Sequence, residues 1–309
     1  MLRGLVITPP VLGRISIGKV VEKAGKRLPE KDDQFTITSQ VQGTDGWLPH
    51  PFDEGFRKAQ GGKIRAIPIR LLFNDPDLNF RAEYALFDRR TGRPVCVGNG
   101  ESCKRRTESG VQSLPCSSPE GCSLAQNGAC KPYGRLNVLI GDDDPLGSFV
   151  FRTTGFNSIR TLSARLAYFQ AVSGNRLAFL PLELRLRGKS TRQSMGTPIY
   201  YVDLTVRSGV SVEDALTEAK HLEANRQEAG FDQVALEKAA RQGFSNGAFE
   251  ESDDEGDSVV DEFYPEGIEG ASEASIAPEP SAGLSLADKL GARAASLESN
   301  AGGASNGID

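Results

Sequence analysis

Apolar and polar positions alternate along the first two thirds of the chain. Gly13–Val21 carries Ile15 and Ile17 on one face, and Gln34–Gln42 (QFTITSQVQ) repeats the pattern, so both read as strands. Gly43–Gly62 reads as loop, with Trp47, Pro49, His50, Pro51 and two closing glycines. Ile64–Phe73 is a strand whose Pro68 places it at an edge or a bulge, and Asn74–Asp77 is a turn. Further strands fall at Glu83–Asp88, Pro94–Gly98, Arg135–Ile140 and Gly147–Thr153.

The period changes at Ser158–Ser173. Ile159, Leu162, Leu166, Phe169 and Val172 step by three or four residues along one helical face, with Gly174 as a stop. Ala178–Arg187 and Pro198–Arg207 alternate again and form an antiparallel pair. Ser211 with Asp214 opens a helix to about Glu228, and a short helix covers Val234–Gln242. From about residue 245 Glu, Asp, Ser, Gly and Ala dominate, a composition that cannot offset its own ordering entropy. The expected architecture is α+β: a mainly antiparallel sheet with one packed central helix, a Cys-rich metal-stapled loop and a disordered acidic C-terminal tail. The expected divisions are a body over 1–210, a helical extension over 211–244 and the tail over 245–309.

Charge sharpens that division. The net charge of −5 hides a body (1–210) with 30 Lys+Arg against 19 Asp+Glu, net +11, and a remainder (211–309) with 6 against 22, net −16. Such a body attracts polyanions or an acidic partner. Lys104, Arg105 and Arg106 form one concentration. Arg185, Arg187 and Lys189 form a second, with Arg160 and Arg165 on the polar side of the central helix. These eight are the candidate DNA or partner contacts. No apolar run approaches the ~18 residues of a membrane span, so a soluble, cytoplasmic protein is expected.

Cys103, Cys116, Cys122 and Cys130 read C-x12-C-x5-C-x7-C across 28 residues with little periodicity. A segment that long without a core needs a crosslink, and four thiolates suit a closed tetrahedral Zn²⁺ site. An iron–sulfur cluster uses the same donors, and ordinary thiols are the remaining reading. Cys96, between Val95 and Val97, reads as a packed core thiol. No phosphate loop, nucleophile elbow or zinc-protease motif occurs. Asp142-Asp143-Asp144 resembles a divalent-metal cluster after a strand, which leaves a metal-dependent hydrolase or nuclease as one alternative. A zinc-containing DNA-binding regulatory module is another.

Several stretches together resemble a known family: Ile67-Pro68-Ile69-Arg70, Asn74-Asp75-Pro76-Asp77-Leu78-Asn79, Cys96-Val97-Gly98-Asn99-Gly100, Cys130-Lys131-Pro132-Tyr133-Gly134-Arg135-Leu136, Thr154-Gly155-Phe156-Asn157-Ser158-Ile159-Arg160 and Pro181-Leu182-Glu183-Leu184-Arg185-Leu186. In this order, over about residues 5–210, they resemble phage recombination directionality factors that partner large serine integrases. The resemblance implies a non-enzymatic accessory protein of a phage, prophage or other mobile genetic element. It would bind the integrase on DNA and favour excision, with no catalytic residues, and with the cysteines as metal candidates.

Overall fold

The computed structural model describes residues 10–23, 26–43, 46–142, 147–190, 195–243 and Phe263. The chain opens with β1 (Val11–Lys23), β2 (Lys26–Gly43) and β3 (Gly46–Pro49), then α1 (Pro51–Ala59), β4 (Ala66–Arg70) and α2 (Pro76–Asn79). A meander follows: β5 (Phe80–Phe87), β6 (Pro94–Gly98), β7 (Ser102–Thr107) and β8 (Gly110–Pro115). After α3 (Ser118–Gly121) and a 3-10 stretch at Ser123–Gly128 come β9 (Lys131–Ile140), β10 (Ser148–Thr153) and α4 (Phe156–Val172). β11 (Leu182–Lys189), β12 (Ile199–Val206), α5 (Val212–Glu228) and α6 (Gln233–Gly243) complete it.

The main path of strands runs β3-β2-β1-β10-β9-β5-β6-β7-β8, and β4, β11 and β12 branch from it through β9. The class is α+β, as expected. The sheet is mixed, because β1 and β10 run parallel while the other pairs are antiparallel. β9 is the hub: it pairs with β10, with β5 and, through Ile69↔Ile140 and Arg70↔Leu139, with β4. It is buried from Tyr133 to Ile140.

One face of β1, β2, β9 and β10 presents Ile15, Ile37, Leu136, Val138, Phe149 and Phe151 to a single core. α4 contributes Ile159, Leu162 and Leu166 to it, and β11 and β12 contribute Leu182, Leu184, Val202 and Leu204. Each fully buried side chain of this size adds about 1.5–3 kcal/mol. α5 joins the same core through Ala215 and Ala219, while α6 packs Ala240 and Leu236 against Leu72, Phe73, Leu78 and Leu139. Gly134 is dictated by this packing. A Cβ there would stand 2.7 Å from the Phe80 ring and 3.1 Å from Ile159, closer than packed atoms allow.

Two expectations need correction. The stretch 43–62 is not all loop: Pro51 occupies the first turn of α1, His50 Nδ1 accepts from the Phe52 amide at 3.2 Å, and Asp53 lies buried. Proline at a helix start satisfies the same punctuation rule that marks a loop. The segment 103–130 is not one excursion either. Its first half is the β7–β8 hairpin, closed by Thr107 Oγ1 donating to the Gly110 carbonyl at 2.9 Å. The exposed positions of β8, Val111 among them, leave no buried face to produce the alternation that normally announces a strand. The expected acidic tail lies outside the described residues except for Phe263, which is buried.

Candidate thiol cluster and basic surfaces

The β6–β7 register brings two of the cysteines together. Cys96 pairs with Arg105 and Gly98 with Cys103, so Cys96 and Cys103 share one face. Gly98 makes the approach possible: a Cβ at that position would lie 2.6 Å from the Cys103 Cβ. Cys116 follows β8 directly, Cys122 ends α3, and Cys130 precedes β9. Cys103 is buried and the other four are partly buried, and all five are free thiols.

The thiols feel one another. Burial first, then the proximity of Cys96, Cys122, Cys116 and Cys103, pushes Cys130 up to about 12. Burial, a hydrogen bond with Cys96 and the neighbouring Cys116 push Cys103 to about 11, partly opposed by Arg105. Arg105 Nη2 stands 4.0 Å from Cys103 Sγ, and that sulfur donates to the Pro115 carbonyl at 3.7 Å. Cys96 therefore belongs to this sulfur-rich environment. Its neighbour Val97 takes the buried position on the opposite face, and strand alternation was the signal that separates the two. Among the described residues, no three Cys, His, Asp or Glu side chains converge closely enough to hold a metal ion as they stand.

The eight basic candidates fall in two places. Lys104, Arg105 and Arg106 lie on β7, where alternation puts Lys104 and Arg106 on the face opposite Arg105. Arg165 and Arg187 meet at Asp203, at 3.0 and 3.4 Å, and Arg185 pairs with Glu183. Lys189 Nζ donates to Asn157 Oδ1 at 2.8 Å. Arg160 and Arg106 are exposed. The family-like Thr-Gly-Phe-Asn-Ser-Ile-Arg stretch is a joint in this region: Gly155 precedes α4, and Ser158 Oγ accepts from the Val202 amide at 3.1 Å.

Asp142 is engaged by cations of the chain. Its carboxylate accepts from Arg70 Nε at 2.6 Å and Arg207 Nη1 at 2.7 Å. Asp143 and Asp144 lie outside the described residues. The Arg207 hydrogen bond, with Arg70 adding to it, holds the Asp142 carboxyl below its ordinary 3.8 against the opposing effect of burial. A depressed carboxylate stabilises the folded chain above its unfolded pKa, and that stabilisation fades as pH falls through the folded value. Asp142→Asn should therefore melt below the wild type at about pH 7, and the gap should close as pH drops below about 4. Thermal melts across that range check it, and a gap that persists unchanged in acid contradicts it. Asp75 is likewise structural: it caps α2 by accepting from the Asp77 amide at 3.0 Å and pairs with Arg241 at 2.9 Å.

Among the described residues, no helix is long and apolar enough to cross a membrane. The match that defines the class is to a family model described as Gp3-like, recombination directionality factor-like, over residues 12–207. That span is more than half of the chain and runs from the start of β1 to just past β12. No curated protein and no solved structure matches the chain. The chain belongs to the recombination directionality factor-like family.

Proposed function

We propose that this protein is a directionality factor of a phage or integrative element, which binds a large serine integrase on its DNA and favours excision over integration. The family match across every strand of the body carries the reading. The protein acts as a ligand, not as a catalyst. It binds one arrangement of the recombinase–DNA complex better than the other, and the bias it imposes equals that difference in affinity. The engagement of Asp142 by two arginines speaks against the hydrolase alternative, because a metal would have to displace both cations. Retention of the protein on beads carrying the element's integrase bound to attachment-site DNA is the expected result. Failure of the folded protein to be retained would end this reading.

The metal belongs to the same proposal. The donor type suits zinc, four soft sulfur atoms on segments where α3 and the 3-10 stretch have little core of their own, and binding would have to draw these thiols together. Cys103, Cys116, Cys122 and Cys130 are the proposed ligands, and Cys96 is the neighbouring thiol that perturbs Cys103 and Cys130. Zinc would supply a crosslink and no reaction step. Protein purified without chelator should contain about one zinc per chain, and Cys116→Ser should lose both the metal and the order of 116–130. Elemental analysis decides it: metal-free wild-type protein would refute the site, and iron with inorganic sulfide would reassign it.

A direct DNA-binding module is the second reading, favoured by the exposed Arg106 and Arg160. It requires steeply salt-dependent DNA affinity in the absence of any integrase.

A further inference from the structure

The face of the sheet turned away from the α4 core is cationic. Arg135 stands opposite Arg152 of β10 on one side and opposite Arg81 of β5 on the other, so three guanidinium groups share one cross-strand row. Like charges directly opposite are destabilising unless anions lie against them. Two residues further along the same strands, Glu83 pairs with Tyr133, and it is the one carboxylate that the register puts on this face of β5, β9 and β10. Arg135 and Arg152 are nonetheless 7% and 6% exposed. These two side chains are therefore covered, while Arg81 and Glu83 are half-buried.

A piece of the cover is on view. Phe263 is fully buried in an aromatic pocket on the same face, beside Ala85, Phe87, Val97 and Tyr133. Its ring centroid lies 5.0 Å from Phe87 and 6.1 Å from Tyr133. Lys131 Nζ donates to the Phe263 carbonyl at 3.2 Å and stands 5.5 Å from its ring. In sequence, Phe263 sits within a stretch, 250–269, that holds ten Asp and Glu and no Lys or Arg.

We propose that the β6–β5–β9–β10 face is a docking site for an acidic segment carrying an aromatic anchor, and that the chain's own residues 250–269 occupy it in cis, with Phe263 as the anchor and the carboxylates lying against the Arg81–Arg135–Arg152 row. The ring supplies apolar burial and a cation–π contact with Lys131, and the carboxylates neutralise a row of positive charge. The tether makes the occupant effectively concentrated, so an identical segment supplied in trans is excluded until the anchor is removed. This site is independent of the integrase reading above and of the thiol cluster.

The test uses the full chain and a fluorescent peptide of residues 250–269, with binding read by anisotropy. The Phe263→Ala chain should bind the peptide saturably, and the wild type and Phe263→Trp chains at least tenfold more weakly. Replacing the peptide's acids by Asn and Gln, or its phenylalanine by alanine, should weaken binding at least tenfold. Hydrogen exchange on the wild-type chain provides a variant-free reading: amides flanking Phe263 should exchange at least tenfold more slowly than in the free peptide, and lose that protection at high salt. Exchange at the free-peptide rate, equal binding to wild type and Phe263→Ala, or no binding to either would overturn the proposal. A neutral peptide that binds as well as the acidic one would overturn the role of charge.

Discussion

Asn79→Leu should lower the free energy of unfolding by about 4 kcal/mol. Asn79 is fully buried and knits α2 to the connecting segment that follows β4. Its Oδ1 accepts from the Leu72 and Phe73 amides, both at 3.1 Å. Its Nδ2 donates to the Phe73 and Asp75 carbonyls at 2.7 and 2.9 Å. Leucine has a similar size and satisfies none of them, and each orphaned buried group costs about 1–3 kcal/mol. Urea unfolding of the full chain measures the loss. A difference below about 1 kcal/mol would mean that these backbone groups find other partners.

Arg70→Met comes second, at about 3 kcal/mol, the low end for breaking a buried ion pair because both carboxylate partners are half exposed. Arg70 reaches in three directions: to Asp142 beyond β9, to Glu218 on α5 and to the Phe179 carbonyl at 2.7 Å. Methionine fills the stem's space and leaves that carbonyl without its donor. The loss should concentrate at the α5 contact, so amides of Val212–Glu228 should exchange faster in the variant than those of β9. Uniform acceleration over both elements would contradict the proposed placement of the effect.

The elements most legible in the sequence are those whose burial follows one period. α4 shows its stripe because Ile159, Leu162 and Leu166 all meet the same core. β11 shows alternation because Leu182 and Leu184 point inward while Arg185 and Arg187 meet acids outside. β8 and α1 were hidden for physical reasons. β8 is an edge strand with exposed positions throughout its first four residues, so no apolar face marks it. α1 buries Asp53, whose carboxylate accepts from the Ile37 amide at 2.8 Å and from Arg57 at 2.6 Å, an anchor that apolar periodicity does not reveal.

The same contrast holds for the site. The spacing of Cys103, Cys116, Cys122 and Cys130 pointed to a cluster, but Cys96 joins it only through the β6–β7 register, a long-range fact. Arg81, Arg135 and Arg152 are unremarkable in sequence, since 71 residues separate the first from the last, and only the β5–β9–β10 pairing makes them a row. The family-like stretches sit at joints of the fold: Gly134 beneath the Phe80 ring, Ser158 bonded to β12, and Asn79 inside its turn.

In the proposed role this chain redirects a serine integrase without catalysing any step itself. The most direct measurement is the ratio of excision to integration by the element's serine integrase in vitro, with and without stoichiometric full-length protein. The account predicts that excision appears only when the protein is present and that integration falls in the same reactions, while the protein alone leaves both DNA substrates intact. An unchanged ratio with folded protein, or strand cleavage by the protein on its own, would contradict it.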